Sequence, residues 1–321
     1  MERFTDRIAV VTGGGTGMGR ELVRQLSAEG CHVALCDVNE DAMAETVSLA
    51  EKEAPAGTRL TTFVADVADE SQVQAFRDHV VAELGTDCVH LVFNNAGVGG
   101  GGSFVLDDRA AWERTFGICW GGVYNGSRAF LPLLVASDGG HLVNVSSVNG
   151  LWASIGPFTP HTAYSAAKFA VRGFTEALLT DLRINAPHVQ AHVVMPGHIG
   201  TSIVLNSAAI LGHRPEDMTA EDLDRMRQAA ARMGLDVSGV TDDELRGFMQ
   251  VRGEAFRDGA PTTAEEAATI ILDGVRQGRW RILVGDDAAV LDDRVRADPE
   301  RAYDADFFDE MVGAGGMNLG L

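Results

Sequence analysis

Basic residues and cysteines are scarce in this sequence. Its 321 residues include 26 Lys and Arg against 46 Asp and Glu, which gives a formal net charge of −20. This charge argues against nucleic acids and anionic membranes as partners. The four cysteines lie in or beside apolar runs without a CxxC spacing, and the sequence has no His/Cys cluster. We therefore expect reduced thiols, no disulfide and no metal site.

Long hydrophobic runs are also missing. No run reaches the ~18 apolar residues of a transmembrane helix, and the first residues lack the apolar core of a signal peptide. Hydrophobic residues make up 45% of the chain and charged residues 22%, which is typical of globular proteins. These features predict a cytoplasmic protein with one large α/β domain or two small ones.

The most informative stretch spans residues 8–37. Residues 8–11 form a short β-branched run, which predicts a strand buried on both faces. A glycine-rich turn follows at 12–19, then a helical pattern that closes at Gly30, and a second strand that ends on Asp37. This order predicts one βαβ unit with a glycine turn before its helix.

A glycine turn at that place favours dinucleotide binding. The backbone can approach a pyrophosphate closely, and the helix N-terminus attracts its charge. Asp37 can accept both hydroxyls of an adenosine ribose and would repel a 2′-phosphate, and no Arg or Lys lies in the turn or directly after Asp37. We therefore predict NAD as the cofactor; the alternative is a tight turn without a ligand. The predicted contacts are Gly13, Gly15, Thr16, Gly17, Met18, Gly19, Asp37 and Val38.

Two later strand ends should extend this site. A third strand over 60–65 ends at Asp66-Val67, which could contact the adenine, and a strand over 89–93 ends at the sequence Asn-Asn-Ala-Gly. The carboxyl ends of neighbouring parallel strands meet at one edge of the sheet, beside the glycine turn. The cofactor contacts predicted here are Asp66, Val67, Asn94, Ala96 and Gly97.

The candidate chemistry lies after a fifth strand over 142–145. That strand ends at Ser146 and Ser147, and a helix then begins near Tyr164 and Lys168, which at i and i+4 share one face. An ammonium beside a phenol lowers its pKa from the usual ~10, so Tyr164 could exchange a proton with a substrate oxygen near neutral pH. Ser147 could hold the same oxygen, and Lys168 could reach the nicotinamide ribose.

Together these motifs resemble the short-chain dehydrogenase/reductase family over roughly residues 5–205 and 260–285. The resemblance rests on the G-x-x-x-G-x-G spacing after Thr12, the Asn-Asn-Ala-Gly strand end and the Tyr-x-x-x-Lys pair. It implies a dimer or tetramer formed through two long helices. It also implies a catalytic triad of Ser147, Tyr164 and Lys168, and a segment clasping the nicotinamide carboxamide that contains Pro196, Gly197, Ile199 and Thr201.

The sequence departs from the family pattern at two places. The loop between Ser147 and Tyr164 is longer than usual, and its Trp152 and Phe158 are expected either to line a substrate pocket or to pack on the loop itself. Cys119 stands where the family has an Asn that passes protons to the lysine, and a thiol is a poor hydrogen-bonding group. Asn125, six residues later, should not replace it.

The expected fold is one doubly wound Rossmann-type domain with about seven parallel strands and helices on both faces. Residues 1–200 would form the cofactor and catalytic core, 201–261 a Met-containing helical lid, and 262–321 the last helix, the last strand and a tail. The lid suits a bulky or apolar substrate because Met packs adaptably, although the Met residues could equally belong to packed surface helices.

Some expectations concern the less certain parts of the site. The four glycines 99–102 predict either a flexible loop over the site or a passive linker. Gly99 and His198 are, with Trp152, the candidate substrate contacts. Phe307 and Phe308 are expected to dock on a neighbouring subunit or near their own site.

The predicted function is an NAD-dependent oxidoreductase that interconverts a secondary alcohol and its ketone. Two alternatives remain. An NADPH-dependent carbonyl reductase would use the same residues, and a non-catalytic dinucleotide sensor or scaffold would explain Cys119. The expected partners are a small-molecule substrate and further copies of the chain.

Overall fold

The computed structural model describes residues 3–156, 159–212, 214–232 and 236–313. The expectation for Phe158 lies outside these residues. Among the described helices, none combines the length and the apolar character that a membrane crossing requires.

A seven-stranded parallel sheet forms the centre of the molecule and confirms the predicted fold class. Its strand order is β3-β2-β1-β4-β5-β6-β9, so the order reverses between β1 and β4 and leaves a crevice at the carboxyl ends there. A two-stranded sheet pairs β7 with β8. The strands are β1 Ile8–Thr12, β2 His32–Asp37, β3 Leu60–Val64, β4 Leu91–Asn94, β5 Gly140–Val145, β6 Val189–Pro196, β7 Ile199–Gly200, β8 Thr262–Thr263 and β9 Arg281–Val284.

Helices cover both faces of the sheet. Apolar side chains of α1, α2 and α10 pack on one face, and those of α3, α5 and α6 pack on the other. The two groups of helices cover the sheet from both sides, so that strands such as β1 and β5 are buried throughout. Strands buried on both faces are typically continuous apolar runs, as the sequence of β1 shows. The helices are α1 Gly17–Ala28, α2 Glu40–Glu53, α3 Glu70–Leu84, α4 Arg109–Phe116, α5 Gly122–Val135, α6 Thr162–Asn185, α7 Ile203–Ile210, α8 Ala220–Arg232, α9 Asp242–Asp258, α10 Ala264–Arg276, α11 Asp286–Ala297 and α12 Ala305–Gly313.

The pattern of residues 107–135 predicts a long helix with a break near Gly121-Gly122, and the structure has a break that ends there. One π-helical turn, Gly117–Gly121, separates α4 from α5 and carries Cys119 on its inner side, where the thiol is buried. π-turns of this kind often occur at functional sites.

The prediction that Trp152 lines a substrate pocket is wrong. Its side chain is only 2% exposed, its ring meets Phe307 edge-on at 5.7 Å, and its Nε1 donates to the carbonyl oxygen of Ala302 at 2.5 Å. Phe308 also stacks on this indole at 6.2 Å. The extended loop and the C-terminal helices thus build a third apolar cluster, and the Phe pair docks on its own chain.

Candidate active site

The glycines of the turn after β1 occupy positions that have no room for a side chain. Gly13 and Gly17 adopt left-handed φ angles of +66° and +55°. A Cβ on Gly19 would lie 1.9 Å from the carbonyl oxygen of Gly13, and one on Gly13 would lie 2.8 Å from Cα of Ala96 in the loop after β4. Only glycine allows this approach of the two loops.

The N-terminus of α1 lacks a side-chain cap. Thr16 makes no side-chain cap hydrogen bond, and the first turn has no acidic residue. By contrast, Asn39 caps α2 and Asp69 caps α3. The unpaired N–H groups at the start of α1, in the half-exposed stretch from Thr16 to Met18, fit a pyrophosphate.

Asp37 lies at the tip of β2 and is joined to the turn. Its Oδ2 accepts from the backbone N–H of Gly15 at 3.0 Å, and its Oδ1 accepts from that of Asn39 at 3.1 Å. The neighbouring Arg20 is occupied by Glu45, at 2.6 Å, and by the carbonyl oxygen of Gly15. The carboxylate is therefore the charged group available to a ligand at this position, since Arg20 is already engaged.

Asp66 and Val67 follow β3 as predicted, but both already have partners. Asp66 forms an ion pair with Arg114 at 2.7 Å. Val67 is buried against Gly122, and its carbonyl oxygen accepts from Asn125 Nδ2 at 3.0 Å. Both residues thus have partners within the protein, and Asn125 holds the segment after β3 instead of reaching Lys168.

Asn94 does not face the crevice. It is buried, and its Nδ2 donates to Asn144 Oδ1 at 2.8 Å and to Ser127 Oγ at 3.1 Å. Asn95 instead holds the glycine turn, because its Nδ2 donates to the carbonyl oxygens of Thr12 and Gly13 at 3.0 and 3.2 Å. The side chain of Asn94 therefore positions the sheet edge and does not contact a cofactor.

Ser147 lies beside Tyr164, close enough for its side chain to act on the pKa of the phenol through hydrogen bonding. The Oγ of Ser147 also accepts from the backbone N–H of Asn149 at 3.1 Å, which fixes its direction. Ser146 points elsewhere, since its Oγ donates to the carbonyl oxygen of Lys168 at 2.7 Å. The geometry thus favours Ser147 over Ser146 as the group beside the phenol.

Lys168 lies behind Tyr164. Its Nζ is 5.3 Å from the centre of the phenol ring and donates to the carbonyl oxygen of Val145 at 2.9 Å. Burial lowers the pKa of Lys168. Burial also raises the pKa of Tyr164, against the opposing effect of the Ser147 hydrogen bond. The expected lowering of the phenol pKa is therefore not found in the protein alone, because desolvation outweighs the effect of Ser147.

Cys119 is close to this group but makes its own bond. Its Sγ donates to the carbonyl oxygen of Val98 at 3.2 Å. A Cβ on Gly97 would lie 3.5 Å from Lys168 Nζ and 3.8 Å from Cys119 Sγ. Both side chains therefore lie against the loop after β4. The thiol proton is directed at a carbonyl, not at the lysine.

His198 is not a substrate contact. It is 1% exposed, its backbone N–H donates to Asp287 Oδ2 at 2.6 Å, and its Nε2 donates to the carbonyl oxygen of Phe256 at 2.6 Å. Ile199 is also buried, whereas a Cβ on Gly17 would lie 3.1 Å from Cγ2 of Thr201. The segment from Pro196 to Thr201 therefore contacts the C-terminal region through His198 and the glycine turn through Thr201.

The glycine loop 99–102 is held on two sides. The backbone N–H of Gly99 donates to Ser207 Oγ of α7 at 2.8 Å, and the carbonyl oxygen of Gly102 accepts from the backbone N–H of Thr162 at 3.0 Å. The next residue before Ser207, Asn206, donates from Nδ2 to Thr16 Oγ1 at 3.1 Å. Helix α7 thus bridges the two rims of the crevice.

His161 was missed by the sequence analysis. Its ring lies 4.6 Å from that of Tyr164, and burial lowers its pKa to about 4. It also lines a cavity of about 660 Å³ beside the extended loop, together with Ser154, Phe169 and Tyr303. Its position directly before the helix that carries Tyr164 was the available signal.

The described part of the chain has no group of three or more His, Cys, Asp or Glu residues that could hold a metal ion. The crevice instead offers an uncapped helix end, a carboxylate and a Ser–Tyr–Lys group. These groups can bind a pyrophosphate and a ribose and can exchange one proton with a ligand oxygen.

Comparisons with known proteins agree with this geometry. The short chain dehydrogenase family model matches residues 7–209. SadH of Mycobacterium tuberculosis, named as an oxidoreductase, is 36% identical over 292 residues, which cover 91% of each chain. Levodione reductase of Leifsonia aquatica is 34% identical over 226 residues, which cover 68% of this chain and 79% of that one.

A solved structure extends the agreement to the whole fold. A short chain dehydrogenase/reductase of Burkholderia phymatum in complex with NAD has a TM-score of 0.74 and 29% identity, and the match covers 94% of this chain and 96% of that one. The strand order, the glycine turn and the matched residues lead to one conclusion: the chain belongs to the short-chain dehydrogenase/reductase family of oxidoreductases.

Proposed function

We propose that this protein is an NAD-dependent oxidoreductase that interconverts a secondary alcohol and its ketone, with preference for a bulky or hydrophobic substrate. The observation that supports this most is the grouping of Ser147 and Lys168 around Tyr164, with Lys168 Nζ 5.3 Å from the centre of the phenol ring. The name of its relative levodione reductase also points to carbonyl chemistry.

The roles of the three side chains follow from their positions. NAD, when bound, supplies the hydride acceptor. Ser147 holds the alcohol oxygen through its hydroxyl, and Tyr164 exchanges the hydroxyl proton with it. Lys168 stabilises the phenolate that this exchange requires, since desolvation alone disfavours it. Asp37 and the usually oxidised NAD pool favour alcohol oxidation as the direction.

The cofactor preference rests on Asp37. Its carboxylate is joined to the turn at Gly15 and would repel a 2′-phosphate. The NAD complex of the Burkholderia phymatum relative supports the same choice. NAD would be held at Thr16, Gly17 and Met18 along its pyrophosphate and at the Pro196–Thr201 segment along its nicotinamide.

The direct test is to incubate the protein with NAD and a panel of hydrophobic secondary alcohols and to follow the absorbance of the reduced nicotinamide. The proposal expects NADH formation with at least one alcohol. If NAD binds but no alcohol gives NADH, the non-catalytic sensor is favoured instead. Activity confined to NADPH and ketones would favour the carbonyl reductase.

We further propose a cytoplasmic homo-oligomer. The outward faces of α5 and α6 expose large apolar side chains, which a second copy could cover, and the four cysteines are free thiols. Light scattering of the purified protein tests the assembly, because a monomeric mass would contradict it. The exposed side chains are Tyr124, Val135, Phe169 and Ile184.

A further inference from the structure

The backbone of the nicotinamide segment is held by a carboxylate from the C-terminal region. Asp287, in the first turn of α11, accepts the backbone N–H of His198 on Oδ2 at 2.6 Å. Its two oxygens also lie directly against Gly197, where an added Cβ would be 2.3 Å from each. Asp287 therefore fixes two consecutive peptide units at the start of this segment.

The same segment is tied to the lid on its other side. The Nε2 of His198 donates to the carbonyl oxygen of Phe256 in α9 at 2.6 Å, and the two rings lie 4.3 Å apart. At its far end, Thr201 reaches the glycine turn at Gly17. A shift at Asp287 would thus be transmitted along the segment toward the place where α1 begins.

The carboxylate at this position is costly for the fold. Asp287 is 5% exposed, its partners are backbone N–H groups, and its Oδ1 has no hydrogen-bond partner among the described residues. Burial raises its pKa. Asp292 on the same helix is equally buried, yet it pairs with both Arg281 and Arg296. Buried carboxylates whose ionisation is disfavoured in this way cluster at functional sites.

We propose that Asp287 is a positioning residue for the nicotinamide half of the cofactor, acting through the backbone of Gly197 and His198. This inference rests on the proposed function. It predicts that a change at Asp287 weakens the binding of ligands that carry a nicotinamide and spares ligands that end at the second ribose. The adenosine half is bound at Asp37 and the glycine turn, at the other end of the crevice.

The test compares two isosteric variants of one helix. The affinities of NAD and of ADP-ribose are measured by calorimetry for the wild type, Asp287→Asn and Asp292→Asn. We expect Asp287→Asn to weaken NAD about tenfold, the effect of one charge-assisted hydrogen bond, and to leave ADP-ribose within about twofold. Asp292→Asn should lower the melting temperature, because it breaks two ion pairs, without changing the ratio of the two affinities.

The possible outcomes distinguish a failure of this inference alone from a failure of the proposed function. An unchanged NAD affinity in Asp287→Asn, or an equal loss for both ligands, would overturn the positioning role and leave the proposed function intact. A wild type that does not bind NAD would overturn both. Asp287→Ser, which is smaller than the native side chain, should show the same discrimination, so the result does not depend on how well one variant folds.

Discussion

Asn206 of helix α7 donates from Nδ2 to Thr16 Oγ1 of the glycine turn at 3.1 Å. The next residue, Ser207, accepts from Gly99 on the opposite rim. The first helix after the catalytic core therefore spans the crevice in which the cofactor would lie. We therefore expect a ligand held there to leave more readily once this bridge has opened.

Removal of the bridge should speed the release of NAD. Asn206→Ala deletes one hydrogen bond, typically about 1 kcal/mol, so we expect the dissociation rate of NAD to rise about fivefold. Stopped-flow displacement of NAD measures it. Ser202→Ala is the matched control, because Ser202 precedes α7 and makes no side-chain cap hydrogen bond. Equal rates in the wild type and Asn206→Ala would contradict a bridging role.

Asp37 should decide between NAD and NADP. Asp37→Ala removes the acceptor of the ribose hydroxyls and the repulsion of a 2′-phosphate, so kcat/KM for NAD should fall about 10- to 100-fold while NADP use improves. Steady-state kinetics with both cofactors measures the change. Asp41→Ala, an exposed acid in α2, is the control. Unchanged NADP use in Asp37→Ala would indicate an NADPH-preferring enzyme.

Trp152 should matter for stability. Trp152→Ala would leave a cavity between the extended loop and α12 and should lower the free energy of unfolding by about 3 to 5 kcal/mol. Trp280→Ala, at a site that is 44% exposed, should cost far less. Urea denaturation compares the two variants. Similar losses would show that the C-terminal cluster contributes little to the fold.

A buried histidine pair should make stability depend on pH. His141 Nδ1 and His192 Nε2 lie 2.9 Å apart, and His192 Nδ1 donates to the carbonyl oxygen of Arg279 at 2.7 Å. Burial lowers the pKa of His141 to about 3 and that of His192 to about 4. Both are therefore neutral in the folded protein, whereas the unfolded chain protonates them near ~6.5.

The sign follows from these lowered values. The contribution of the two neutral histidines to the free energy of unfolding is complete above about pH 6.5. It is lost as the pH falls toward 4, by about 2 kcal/mol per histidine between pH 7 and 5. Urea denaturation at these two pH values measures the loss. In His192→Asn the dependence on pH should be clearly weaker. An equally steep dependence in this variant would place its origin elsewhere.

Local patterns predicted most of the fold. The βαβ unit predicted over residues 8–37 is present as β1, α1 and β2, and β2 ends on Asp37 as expected. These features depend on spacing within a few residues, which the sequence displays directly. The Ser147, Tyr164 and Lys168 group was likewise identifiable, because a helical turn and a strand end bring its members together.

Partners that are distant in sequence could not be predicted. Trp152 meets Ala302, 150 positions later, and His198 meets Asp287, 89 positions later. Nothing in the local pattern distinguishes a buried Trp of the core from one that lines a pocket, since both are apolar residues in a loop. The choice is made by tertiary packing of the C-terminal helices.

The most direct test of the account is the Tyr164→Phe variant, with Tyr124→Phe on the exposed face of α5 as its control. NAD affinity is measured by calorimetry and turnover by NADH absorbance with an alcohol that the wild type oxidises. We expect Tyr164→Phe to bind NAD as the wild type does and to lose about 10²- to 10⁴-fold in kcat, as removal of a general base does. Turnover close to that of the wild type would contradict the role of this phenol in proton transfer.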